Sequence, residues 1–408
     1  MKRQSASFKA LWFGEIISEF GGAAGGIING LLLFELTGSK EWMGVLWLVY
    51  FLPSLMFQSI SAPFLNYVRK SKLLRTIQLI RAGAYLLPLT ASFIGTETGV
   101  VLALIVLQGL LGIMQPIYAS LSFSLLPDIC QEKELTEANA LLDGAIRLMS
   151  FLAPGATALL LLVSPAHFIY GLSAAMYLIS FFALSRMSET HEQEAVIWTR
   201  EFWWSEMKEG YRSFFQYPRL LRLSVLSSAV QFAVGAAMVL AVPFIREELN
   251  GQPWEYAIFS GAFPVGYAIG SLLLTKLKKT DWMMYLGLTG GGLSFVLLAF
   301  APSTFAASIC ELLGGVLFPF FNAQSAAIFQ QEAPRDRLAQ LSAVRLLFLR
   351  AAMPLGILFA SSSFFGLPIR QVYVAVGLVI VLPGLFYVVL SLLHTRKSLP
   401  KNSGREIN

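Results

Sequence analysis

Charge is scarce in this chain. Only 13% of its 408 residues are Asp, Glu, Lys or Arg, against about 25% in a soluble globular domain. That excludes an ordinary water-soluble surface. Cysteine is rarer still. Cys130 lies in an expected loop and Cys310 in an expected span, so no structural disulfide is expected. The three histidines, His167, His191 and His394, stand apart, and no metal-ligand spacing occurs. The run HEQEA at 191–195 starts like a zinc-protease motif but has Ala195 where the second histidine belongs. A Gly-x-Ser-x-Gly elbow and a Walker A loop are both missing. GLTGGG at 287–292 sits in an apolar run with no strand before it, which marks a packing stretch rather than a nucleotide loop. Without a convergent nucleophile or metal site, neither an enzyme nor a cofactor is expected.

What the chain has is apolar length. Hydrophobic residues make up 56% of it, in runs of the roughly 20 residues that a membrane-crossing helix needs. Twelve spans are expected, at about 11–35, 42–65, 73–94, 99–122, 141–163, 167–187, 221–245, 255–275, 282–301, 304–328, 342–363 and 369–393. Several contain a proline, among them Pro53, Pro88, Pro116, Pro154, Pro243, Pro264, Pro319 and Pro354. Membrane helices tolerate these because neighbours re-satisfy the freed carbonyls. The first span is too long for a cleavable signal peptide. The expected fold is all-α and membrane-integral, with an amino-terminal six-helix bundle at 1–187, a linker at 188–220, a second bundle at 221–395 and a tail at 396–408. In the linker, TREFWWSEMKEGYRSFF places Trp203, Met207, Tyr211 and Phe214 at helical spacing, the pattern of an amphipathic helix on the inner membrane surface.

Net charge is +6, yet the bases form no stripe of the kind nucleic acid requires. They gather in short loops. With both termini cytoplasmic, 23 Lys and Arg lie on the inner side and three (Lys40, Arg246, Arg370) on the outer, as the positive-inside rule demands. The basic loop NYVRKSKLLR between spans two and three is echoed by TKLKKTDWM between spans eight and nine, a trace of two related halves.

The stretch LLPDICQEKELTEANALLDGAIRLMSFLAPG at 125–155 carries Leu-Pro-Asp, a charged turn, Leu-x-x-Ala-Asn-Ala, then an arginine and a Pro-Gly pair. FELTGS at 34–39, LIRAG at 79–83 and EGYRSFFQYPRLLRL at 209–223 accompany it. With these the chain resembles the major facilitator superfamily, in its twelve-span drug-efflux branch of macrolide and enterobactin exporters. The resemblance covers nearly the whole length. It implies a secondary active transporter, exporting a small amphipathic compound such as a drug or antibiotic in exchange for protons by alternating access. Export of an endogenous siderophore, peptide or lipid, and a weakly coupled facilitator, are the alternatives. A membrane sensor or membrane enzyme is the remote one. The implied partners are a small-molecule substrate, protons and the lipid bilayer, with no nucleic acid. A monomer in a bacterial inner membrane is expected. The chain departs from the family in its second-to-third-span loop. Where the family signature has Gly, Asp and Arg, this sequence has Ala62, Asn66 and Tyr67, and keeps basic residues at Arg69, Lys70 and Lys72. Asn66 and Arg69 are therefore gating candidates.

Intramembrane acids are functional by default. Glu15 and Glu19 are four residues apart and share one helix face. From the 1.5 Å rise, Glu19 lies roughly 6 Å and Glu15 roughly 12 Å from the middle of the first span. Both are candidates to carry the coupling proton, as is Glu311 in the tenth span. Arg81 is a candidate counter-ion, with Arg147 and Arg350 near inner span ends. Gln108, Gln115, Gln231 and Asn322 are candidates to line a substrate cavity. Gly14, Ser18, Gly22, Gly26 and Gly30 recur every fourth residue, the spacing that lets helix backbones approach. On that reading Gly26→Leu blocks transport.

Overall fold

The computed structural model describes residues 5–37, 40–187, 199–361 and 367–398. Residues 188–198 of the expected linker, 399–408 of the expected tail, and the last two residues of FELTGS lie outside them. All regular structure among the described residues is helical. The order is α1 (Ala6–Thr37), α2 (Lys40–Ser61), α3 (Lys70–Ile94), α4 (Glu97–Ile129), α5 (Leu135–Leu161), α6 (Ala166–Leu184), α7 (Arg200–Gln216), α8 (Pro218–Pro243), α9 (Pro253–Leu274), α10 (Asp281–Leu298), α11 (Thr304–Glu332), α12 (Leu338–Ser361) and α13 (Ile369–Ser398). A short helical turn, Ala62–Tyr67, joins α2 to α3.

Every expected span falls on one of these helices, because in lipid only a helix satisfies all its own backbone groups. The expected prolines sit within helices. Large apolar side chains point outward, Phe305 at 74% exposure among them, the reverse of a soluble surface. Among the described residues, eleven helices are long and apolar enough to cross a membrane. Twelve were expected, and α10 is the one that falls short. It has only 18 residues, and Asp281 with Gly287, Gly290, Gly291 and Gly292 dilutes its hydrophobicity. The remaining helix, α7, is the amphipathic one. Thr199 Oγ1 accepts from the Phe202 amide at 3.1 Å and starts it. Its inner stripe buries Gly210, Ser213 and Phe214, while Trp204 and Phe215 stay exposed.

The chain groups into two compact units, Met1–Gln231 with Ala326–Leu355, and Phe232–Ser325 with Gly356–Asn408. In the first unit, α1 packs on α5 and α6, α3 on α4 and α6, and α2 on α4. Its core includes Phe8, Leu11, Leu74, Tyr118, Leu121, Leu125 and Leu184, reached by Ala339 and Ala343 of α12. A second cluster joins Ala24, Ile28, Tyr85, Leu104, Leu107, Tyr170 and Tyr177. In the second unit α10 packs along α13, with Gly292 against Ile380. Its α9 lies so close to α11 that a Cβ on Gly266 or Gly270 would clash with the carbonyls of Leu312 or Val316.

Candidate functional site

The first unit buries a connected set of polar side chains around α1. Glu15 is 7% exposed. The Ser122 hydroxyl of α4 donates to its Oε1 at 2.6 Å, and the Tyr118 hydroxyl, one turn earlier on α4, bonds the same carboxyl group. Gln78 of α3 donates through Nε2 to the Tyr118 oxygen at 3.2 Å and to Ser180 Oγ of α6 at 2.8 Å. Its Oε1 accepts from Arg81 at 3.3 Å. Arg81 also donates to Gln115 Oε1 at 2.7 Å, and its guanidinium lies 4.7 Å over the Tyr118 ring. Glu19, one turn along α1, is half-buried, and Ser150 of α5 donates to it at 2.6 Å.

Arg81 forms no ion pair with either glutamate. It is held by two amides and two ring faces, those of Tyr118 and Tyr177, and its charge acts on both acids from a distance. The acids are held by hydroxyls instead. A hydroxyl donates to a carboxylate or accepts from a carboxylic acid, so this network serves either protonation state without a change of partner.

The other candidates are dispersed. Gln108 accepts from Asn29 of α1 at 3.1 Å. Gln231 is half-buried on α8. Asn322 donates to the Tyr267 hydroxyl at 2.9 Å in the second unit. Arg147 pairs with Asp143, one turn earlier on α5, at 3.2 Å. Glu311 is half-buried on α11 beside Tyr373 and forms no hydrogen bond or ion pair among the described residues. Burial pushes the Cys130 thiol up to about 12, so it is an unreactive thiol at neutral pH.

The glycine stripe divides. A Cβ on Gly14 would sit 3.1 Å from Ser180 Oγ, and one on Gly22 2.5 Å from the Tyr177 hydroxyl. A Cβ on Gly26 would meet nothing within 4 Å, and Gly30 is half-buried. Close neighbours also lie one residue to the side, the tightest of them at Gly25. A Cβ on Gly21 would meet Met176 at 2.8 Å, and one on Gly25 would clash with the buried Tyr85 ring.

At the end that carries the basic loops, uncharged amides join the first spans to α11 and α12. Asn66 donates to Gln340 Oε1 at 3.1 Å and accepts from the Gln340 amide at 3.0 Å. Gln340 Nε2 donates to the Glu206 carbonyl of α7 at 2.6 Å. Gln58 donates to the Ala343 carbonyl at 2.9 Å. Asn139 donates to Gln330 Oε1 at 2.7 Å. Arg350 donates to Ser54 Oγ at 2.6 Å. Arg69 is exposed where α3 begins, and its neighbour Lys70 pairs with Asp128 at 2.9 Å. The sequence reading named Asn66 and Arg350 here and missed Gln58, Asn139, Gln330 and Gln340. It also missed Ser122, Ser150, Tyr118 and Gln78. Gln58, Gln78, Tyr118, Ser122 and Ser150 were signalled only as polar residues within apolar runs, Asn139 only as part of the Leu-x-x-Ala-Asn-Ala motif, and Gln330 and Gln340 lie in the stretch between two expected spans.

A helical membrane protein with charged and amide groups gathered inside its first unit has the architecture of a membrane transporter. Comparison with known proteins agrees. Residues 3–406 match the family described as transmembrane secretion effector, and the chain belongs to that family of major facilitator transporters. It is 23% identical over 372 residues to an uncharacterized MFS-type transporter, YvqJ, of Bacillus subtilis (strain 168), covering 86% of this chain and 84% of that one. It is 20% identical over 360 residues to macrolide efflux protein A of Streptococcus pyogenes, covering 87% and 88%. Among solved structures, the human organic anion transporter MFSD10 (TETRAN) superposes with a TM-score of 0.75 at 12% identity, over 94% of this chain and 99% of that one. One of these sequence relatives is an efflux protein by name, the solved structure shares the fold, and the family match places the chain among multi-pass membrane proteins.

Proposed function

We propose that this protein exports a small amphipathic compound from the cytoplasm in exchange for protons. The observation that supports this most is the pair Glu15 and Glu19 on one face of α1. Each acid is held by a serine hydroxyl and neither is ion-paired. Such a group exchanges a proton without dismantling its surroundings. In an antiporter, the proton enters from the outer side, neutralises the acid, and leaves on the inner side once substrate has been released outside. Arg81 supplies a fixed positive charge nearby, so the network is neutral with one acid ionised and carries one net charge, of opposite sign, with both or neither ionised. The amide contacts among Asn66, Gln340, Gln58, Asn139 and Gln330 lie at the basic-loop end, read as cytoplasmic. They suit an inner gate that opens and closes once per cycle. The efflux relative favours export over uptake.

The test is reconstitution in proteoliposomes with an imposed pH gradient. Glu15→Gln and Glu19→Gln are expected to abolish gradient-driven transport while preserving substrate exchange at equal pH, because glutamine keeps the hydrogen bonds and removes the titration. Gradient-driven transport at the wild-type rate in both variants would exclude this pair as the coupling site.

A further inference from the structure

The first unit buries a second arginine, and its environment differs sharply from that of Arg81. Arg345 of α12 is 6% exposed. Its Nε, like that of Arg81, has no acceptor, but unlike Arg81 its guanidinium forms no hydrogen bond or ion pair at all among the described residues. What it has is two aromatic faces, Phe123 of α4 at 5.3 Å and Phe329 of α11 at 4.9 Å. Cation–π attraction is smaller than the cost of stripping water from a guanidinium, and a buried charge without a partner is strongly destabilising. Arg81 avoids that cost through Gln115 and Gln78, and Arg350 through Ser54. Arg345 has no equivalent.

The two rings sit on different helices, next to the amide contacts at the basic-loop end. Phe123 sits on α4, and its carbonyl accepts from Gln330 Nε2 at 2.8 Å. Phe329 precedes Gln330 on α11. Gln58 holds the carbonyl of Ala343, two residues before Arg345. The first of these bonds joins α4 to α11 and the last joins α2 to α12. If they are released as the inner gate proposed above opens, α4 would carry the Phe123 ring off the guanidinium and Phe329 would stay on α11. Opening would then uncover a cation that the two rings cap here.

We propose that Arg345 is the recognition group for an exported organic anion, its carboxylate, sulfonate or phosphate pairing with the guanidinium and its aromatic or apolar body replacing Phe123 against Phe329. A guanidinium presents paired donors that fit such groups two at a time. The class of ligand follows from the chemistry that Arg345 lacks in the closed arrangement. This assignment rests on the export reading and not on proton coupling.

The experiment uses the full-length purified chain in an uncharged detergent, with carboxyfluorescein and its cationic ring-analogue rhodamine as probes and fluorescence anisotropy as readout. Wild type is expected to bind carboxyfluorescein about tenfold more tightly than rhodamine, and Arg345→Gln to erase that preference while shifting rhodamine affinity less than about twofold. Arg345→Lys, which keeps the charge but not the fork, should retain part of it. Wild type alone gives a second arm that needs no variant to fold. Benzenesulfonate should displace carboxyfluorescein and benzylammonium should not. No preference for the anion in wild type, no competition by benzenesulfonate, or an equal loss of both dyes in Arg345→Gln overturns the proposal. No gradient is present, so loss of proton coupling with an intact anion preference overturns only the coupling reading, and the converse only this one.

Discussion

The two compact units fill their interiors with different chemistry. The first buries Glu15, Asn29, Gln58, Gln78, Arg81, Gln108, Asn139, Gln330, Gln340 and Arg345. Among the described residues, the buried polar side chains of the second are hydroxyls, Ser271, Thr289, Ser294, Thr304, Ser308 and Ser325, with Gln324 the one amide. Those hydroxyls mostly bond back to their own helix, as Thr289 does to Tyr285 O and Ser308 to Thr304 O. What joins helices in the second unit is close backbone contact at glycine. A Cβ on Gly315 would clash with the Phe263 carbonyl and one on Gly356 with the Phe232 carbonyl. Without a hydrophobic driving force in lipid, helices associate through close packing or through polar bonds, and each unit relies mainly on one of these. Polar bonds can exchange partners or protons. Glycine contacts can only fit or fail.

The largest effect should therefore come from the second unit. Gly356→Val drives a branched side chain into a backbone carbonyl that has no rotamer to escape into. Overpacking usually costs about 1–3 kcal/mol and more where backbone must move, and the upper end is expected here. The melting temperature in detergent and the yield of monodisperse protein report it. A Gly356→Val protein that melts with wild type would show that the α8–α12 contact is loose, and the contrast between the units would weaken.

A functional contrast follows from the same difference. Glu15 in the first unit sits in a network of donors. Glu311 in the second has neither a hydrogen bond nor a counter-charge among the described residues. The network is what makes an acid useful for coupling, so Glu311→Gln should leave gradient-driven transport intact where Glu15→Gln abolishes it. With no bond lost, its effect on stability should stay within about 0.5 kcal/mol. Loss of gradient-driven transport in Glu311→Gln would move proton coupling to the second unit and break the comparison outright.

Sequence periodicity revealed much of this and stopped at identifiable points. Apolar run length alone located every membrane helix, because burial in lipid imposes both length and helicity. On α10 that length is marginal, because four glycines and Asp281 dilute an 18-residue helix. The i,i+4 spacing placed Glu15 and Glu19 on one face. It did not disclose Ser122 and Ser150, which lie 107 and 131 residues away and meet α1 only through the packing of α4 and α5. Arg81 looked like a counter-ion because sequence carries charge but not distance. Gln78 and Gln115 intercept it. Asn66 looked like a damaged family signature. In the fold it is a two-way amide partner for Gln340, the backbone bond of which an aspartate would also make and the side-chain donation of which it would not.

The smallest effect is expected on α1 itself, where the sequence pattern pointed to the largest. Gly14, Ser18, Gly22, Gly26 and Gly30 read as one unbroken seam, which made Gly26 central. Small residues on a helix permit a close approach but do not specify which of two adjacent stripes uses it. The neighbours decide that position by position: Gly14 and Gly22 meet Ser180 and Tyr177, Gly21 and Gly25 meet Met176 and the Tyr85 ring, and Gly26 meets nothing. Tyr85 is fully buried and stacks on Tyr177 with ring centroids 5.5 Å apart, so it cannot swing aside cheaply. Gly26 has open space beyond its Cα. Gly26→Leu should therefore cost no more than about 0.5 kcal/mol, and even offset some of glycine's poor helix propensity. Gly25→Leu should destabilise by an amount typical of overpacked cores. The paired measurement is thermal unfolding of both variants in the same detergent. If Gly26→Leu proves the more damaging, the face of α1 around Gly26 meets a partner in another state of the transport cycle, and the polar first unit would hold a moving helix contact as well as a proton site.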